Sequence, residues 1–157
     1  MAAGGVLGKG CKVAYSAASP VSWVQVTQLI DMTIPTEIAD RIDNTMHSTA
    51  GSLKRSMPGL VSVGDPTVTV VSDLDPATSP SQAYMRARQK DQTTIWCRME
   101  VPVNRAKTLF MGFTFQAAVA NYEPATPVAD RQTTKFTLMF DGDSIQDDAA
   151  SGATAIT

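Results

Sequence analysis

Along most of this chain apolar side chains recur at every second position, the period of a strand with one face in a core. Between Thr93 and Val101 the apolar positions are Ile95, Cys97, Met99 and Val101. Thr94, Arg98 and Glu100 alternate with them, and Trp96 is the exception on the polar face. From Thr108 to Tyr122 the apolar set is Leu109, Met111, Phe113, Phe115, Ala117 and Val119, opposed by Thr114 and Gln116. This predicts one long strand, with a bulge near Gly112. From Thr133 to Phe140 the face moves to Phe136, Leu138 and Phe140, opposite Lys135 and Thr137, and Asp141-Gly142 ends the run. Upstream, Cys11 to Ser16 and Val21 to Asp31 are rich in β-formers and read as a hairpin across Ala18-Ser19-Pro20. Thr67 to Val71 is a short strand after Pro66, and Ile38, Asp40 and Ile42 alternate less regularly.

One segment has a helical grammar. Ser79-Pro80-Ser81-Gln82 sets a capping Ser before Pro at the first helical position and a Gln three residues after the cap. A helix from about Pro80 to Lys90 follows, with Ala83, Tyr84 and Ala87 as its apolar stripe and Met85 on another face. Arg86, Arg88 and Lys90 suit the negative end of that helix. It is expected to lie on a sheet or to close an open end. Three stretches have no period: an N-terminal arm 1–10, a loop 44–65 and a C-terminal tail 143–157. A loop as long as the second is uncommon in a compact domain unless it has a use. The fold class expected is mainly β, a sandwich or rolled barrel of antiparallel strands with one flanking helix. It forms a single domain, 1–157, whose core spans 11–142.

Length and charge narrow the function. A chain of 157 residues and 16.7 kDa supports one core. Thirteen basic against fifteen acidic residues give a net charge of −2, without the basic excess that phosphate binding by counterion release requires. No apolar run reaches the ~18 residues of a membrane span, and the first ten residues lack the apolar centre of a signal peptide. Cys11 and Cys97 are accordingly expected as reduced thiols, Cys97 buried. Catalytic candidates are few. His47 is the single histidine, and no G-x-S-x-G motif places a nucleophile for it. Two distant cysteines and one histidine make no zinc site. Asp141 to Asp148 departs from a calcium loop, because Gly142 stands second and no Glu closes it, so a turn and a solvated acidic tail are expected. No catalytic residue, metal or cofactor is assigned. Lys54 and Arg55, between Ser52 and Ser56, suit a carboxylate on a neighbouring subunit better than a nucleic acid.

Taken together, several motifs resemble the major tail tube proteins of long, non-contractile-tailed bacteriophages. In the first half these are Asp43-Asn44-Thr45 opening a long loop, Lys54-Arg55, Met57-Pro58-Gly59-Leu60 and a Gly-Asp turn into a Thr/Val strand. The second half adds a capped helix, the Phe-rich strand into Ala118-Val119-Ala120-Asn121-Tyr122-Glu123-Pro124, and a turn from Pro127 to Asp130. The resemblance implies a non-enzymatic virion protein whose hexameric rings stack into a hollow tube for genome delivery. It is made in the host cytoplasm and carried in the phage tail. Its other partners would be the tape measure, tail terminator and distal tail proteins, and DNA would pass without specific binding. The loop would reach an adjacent ring, making His47, Lys54, Arg55, Met57, Pro58, Gly59 and Leu60 contact residues. Gln25, Asp31, Glu100 and Gln116 would face the lumen. Two other classes fit a small β fold. One is a module binding carbohydrate or protein through Trp23, Trp96 or Tyr122, and the other is a β-barrel enzyme, for which His47 alone is a poor start.

Overall fold

A sixteen-residue strand, β8 (Phe110–Ala125), organises the sheet. The computed structural model describes residues 10–17, 20, 22–44, 56–73, 75, 77–142 and 144–150. One edge of β8 pairs with β7 (Thr94–Pro102), Ile95 opposite Ala117 and Val101 opposite Met111. The other edge is shared. Its second half pairs with β9 (Thr133–Phe140) and its first half with β10 (Gln146–Ala150). Both run antiparallel to β8, so β10, starting at Gln146, continues the line of β9, which ends at Phe140. The expected acidic tail is therefore a strand over 146–150, because Asp148 finds a cation in the sheet.

From β8 the sheet extends both ways. On one side β7 pairs with β1 (Lys12–Ser16), and β1 with the two-residue β2 (Val24–Gln25). On the other, β9 pairs with β6 (Thr67–Val71), and β6 with β3 (Leu29–Thr33). The hairpin expected from 11 to 31 is thus only half formed. Gln28 has φ 61°, a left-handed break, and β3 beyond it joins β6 instead of β1. The rolled sheet encloses Val13, Tyr15, Val68 and Val70 together with Ile95, Cys97, Met99, Phe115, Ala117, Val119, Phe136 and Leu138 from the faces expected by alternation, whereas Leu109 and Met111, expected on the same face, are exposed. The bulge in β8 lies between Val119 and Asn121, against β9, and pairing is regular through Gly112. The bulge thus falls inside the β9-paired half, and the changeover from β10 to β9 lies before it, between Thr114 and Ala117.

The loop expected at 44–65 is shorter than its sequence suggested. β4 (Glu37–Asp43) pairs with β5 (Ser56–Val63), so 56–63 is strand. Its period is hidden because β4 is exposed throughout and β5 nearly so, and no core selects one face. A register shift between Ala39 and Arg41 absorbs Pro58, which has no N–H to pair.

The helix α1 (Pro80–Asp91) forms where expected, but by other contacts. Ser79 makes no side-chain cap, and its Oγ lies 3.3 Å from Thr27 Oγ1. Gln82 does not close a capping box. Its Nε2 donates to the Val71 carbonyl at 2.7 Å and its Oε1 accepts from the Asp73 N–H at 3.0 Å. The buried face is Ser81, Gln82 and Met85, while Ala87 is exposed. Strand ends carry unpaired backbone groups, and a helix laid against them buries polar side chains that satisfy those groups. Tyr84 stacks on Tyr15 with centroids 4.3 Å apart, and Gln92 Nε2 reaches the Val119 carbonyl. These contacts reach β1, the link at Thr27, β6 and β8, so α1 closes one end of the roll. The basic cluster has aromatic partners: the Arg86 guanidinium lies 4.2 Å from the Tyr122 ring centre and Arg88 lies over Tyr84.

Both cysteines are thiols, not a disulfide, and Cys97 is buried. Desolvation pushes the Cys97 thiol up to about 12 from its usual 9. Between those values the folded chain keeps a proton that the unfolded chain releases. Stability is therefore unaffected below pH 9 and falls as pH rises towards 12, by up to ~1.4 kcal/mol per unit. A Cys97→Ser chain titrated by urea unfolding from pH 8 to 11 should lose much of that slope; an unchanged slope would assign it to other groups.

Candidate functional site

The β4–β5 ribbon stands apart. It forms a two-stranded sheet with no strand pairing to the rolled sheet. Two-stranded ribbons are marginal in water without an apolar face packed on something. Here the apolar side chains look outward: Leu60 is 84% exposed, Ile38 61% and Val61 59%, with Ile42 and Met57 cross-strand partners about half exposed. A shallow hollow of about 230 Å³ beside them is lined by Ala39, Asp40, Arg41, Ser56, Met57 and Pro58. At Gly59 a Cβ would come within 3.1 Å of the Ile42 side chain, so glycine lets Ile42 lie flat across the ribbon. Of the contact residues expected from the sequence, Met57, Pro58, Gly59 and Leu60 sit together on β5. His47, Lys54 and Arg55 lie outside the described residues.

The residues expected to face a lumen do not share one environment. Gln25 and Asp31 are exposed and Gln116 is half buried. Glu100 is fully buried, which corrects its reading as an outward polar position. The physical reason is Arg98, itself 1% exposed. Its Nε donates to Glu100 Oε1 at 2.9 Å, and its Nη1 donates to Thr114 Oγ1 at 2.8 Å and lies 2.9 Å from Asp148 Oδ1. Cross-strand register builds this cluster. Glu100, Gly112 and Asp148 stand in one row across β7, β8 and β10, and Arg98, Thr114 and Gln146 in the row two residues along, on the same face. Asp31 belongs to another row, with Thr69, Lys135 and Glu123 across β3, β6, β9 and β8. It also lines a cleft of about 500 Å³ with Cys11, Leu29, Met32 and Val101. Burial, more than the nearby Asp31 carboxylate, raises the Cys11 thiol there.

Sequence reasoning missed the buried cluster because alternation marks Arg98 and Glu100 as polar-face residues and says nothing of what covers that face. Gly112 was the available signal. A Cβ at this position would fall inside the Arg98 guanidinium, 2.5 Å from Cζ, so the glycine serves a close approach and not a bulge. Gly112→Ala should cost about 1–3 kcal/mol, the usual range for overpacking, seen as a lower urea midpoint. A neutral result would show that Arg98 can lie elsewhere.

What the site offers chemically is contact. Among the described residues no three His, Cys, Asp or Glu side chains group as metal ligands, and no helix is long and apolar enough to cross a membrane. No protein-family model matches the chain, and no curated protein matches it. Solved structures do. A chain of the native gene transfer agent virion is similar with a TM-score of 0.68 and 11% identity, covering 92% of this chain and 99% of that one. The SPP1 tail tube follows at 0.64 and 13% identity, with 95% and 82% covered. The sheath-tube complex of an extracellular contractile injection system gives 0.60 and 16% identity, with 93% of both chains covered. The chain thus shares its overall fold with chains of these virion and tube structures, the SPP1 tail tube among them.

Proposed function

We propose that this chain is the structural subunit of a phage tail tube, closing into hexameric rings that stack into a hollow conduit for the DNA genome. The observation that carries the reading is the β4–β5 ribbon. Five apolar side chains, Ile38, Ile42, Met57, Leu60 and Val61, project from a sheet that has no packing face of its own. A subunit of an adjacent ring would cover them, and Lys54, Arg55 and His47, in the sequence between the two strands, would join that contact. Gln25, Asp31 and Gln116 are the side chains assigned to the lumen, where a weakly acidic, polar wall repels phosphate and lets DNA slide. Glu100 would act behind that wall, in its ion pair. The tape measure, tail terminator and distal tail proteins are the further partners, and the assembled virion tail is the location. No step in this function needs a catalyst or a cofactor.

Negative-stain electron microscopy of the purified full chain over a hundredfold concentration range tests this. Hollow tubes or six-membered rings are expected as concentration rises. Separate monomers at every concentration, with and without added tail-tip complex, would turn the assignment towards a binding module.

A further inference from the structure

The first half of β8 is an unusual edge. Phe110-Met111-Gly112-Phe113-Thr114-Phe115 is rich in strand formers and carries neither charge nor proline. Windows of this kind pair with other chains whenever an edge is open. β7 covers one side of this window, and β10 the other through Gln146 opposite Thr114 and Ala150 opposite Phe110. β10 is short and acidic, begins at Gln146 where β9 ends at Phe140, and pairs among the described residues with β8 alone. Asp148 ties it to the sheet, 2.9 Å from Arg98 Nη1.

We propose that β10 is an edge guard. It opens independently of β9, is latched by the Asp148–Arg98 ion pair, and when open exposes Phe110–Thr114 to antiparallel pairing with the same segment of a second copy. Opening is tolerable because Arg98 keeps Glu100 and Thr114 as partners when Asp148 leaves. The partner is a second copy because antiparallel pairing of identical uncharged segments is self-complementary about a two-fold axis. With the guard closed, the outermost strand carries Asp147 and Asp148, and charges on an edge resist strand addition. Such a two-fold dimer would withdraw the chain from the monomer pool, so the guard keeps the monomer available. The proposal does not rest on the tube reading.

Native-state hydrogen exchange on the full chain tests it. In the wild type, β10 amides should exchange through a local opening insensitive to low denaturant, while β9 amides follow global unfolding. Asp148→Asn should speed β10 exchange about tenfold, leave β9 unchanged, and raise the dimer fraction in sedimentation velocity. Adding Met111→Lys to that variant should remove the dimer while β10 stays fast. Joint exchange of β9 and β10 in the wild type would overturn the proposal even if the variants fail to fold. So would wild-type β10 rates in Asp148→Asn, or faster exchange with no added dimer.

Discussion

Arg98→Ala should lower the stability of the folded chain by about 3–5 kcal/mol, the range for removing one partner from a buried ion pair. Arg98 and Glu100 are both 1% exposed, so the alanine leaves a carboxylate in the sheet with neither its cation nor access to water. Thr114 loses the donor to its Oγ1 at the same time. Arg98→Lys should recover little, because an ammonium cannot reach Glu100, Thr114 and Asp148 with the fork of a guanidinium. Arg98→Met combined with Glu100→Gln should recover most of the loss, since no charge is then stranded. Urea midpoints of the four chains decide the matter. A loss below about 1 kcal/mol in Arg98→Ala would mean that water replaces the guanidinium, and the cluster would then be no anchor for β10.

The ribbon should give the opposite result, a small change in the subunit and a large one in assembly. Leu60 is 84% exposed, so Leu60→Asp should leave monomer stability within about 0.5 kcal/mol of wild type. In a tube its side chain would be buried, and full burial of a leucine contributes ~1.5–3 kcal/mol. Each 1.4 kcal/mol is a factor of ten, so the concentration needed for tube growth should rise by about one to two orders of magnitude. Val61→Asp should act in the same direction. Pelleting assays against concentration read this directly, with thermal unfolding of the monomer as the control. Tubes of Leu60→Asp forming at the wild-type threshold would exclude the ribbon from the contact between rings.

How much of this was legible beforehand depends on whether one face of an element meets the core. β7, β8 and β9 each turn one apolar face to the core, so period two marked Ile95, Cys97, Met99, Phe115 and Phe136 correctly. β5 buries neither face against the core, and its mixture of Ser, Pro, Gly and Val therefore read as loop. β10 is held by an ion pair and backbone pairing, and Gln-Asp-Asp-Ala-Ala has no apolar face to announce a strand. The helix was visible from Pro80, but its buried side was not, because Ser81 and Gln82 answer backbone groups of the link at Thr27 and of the end of β6. At the candidate site, Met57 to Leu60 were found through family resemblance. The exposed Ile38 and Val61 beside them needed the cross-strand register.

The pairing of β1 with β7 sets a timetable for synthesis. Ser16 opposes Trp96, and Lys12 opposes Glu100 still further along the chain. A ribosome adding ~5–20 residues per second emits β1 several seconds before any partner for that edge exists. β8 then waits in turn for β9 and β10, which follow it in the chain. Contacts this distant in sequence slow folding by their loop-closure cost. The nascent chain thus carries unpaired strands until β9 and β10 have emerged, and a chaperone acting on it would find its work before the sheet closes.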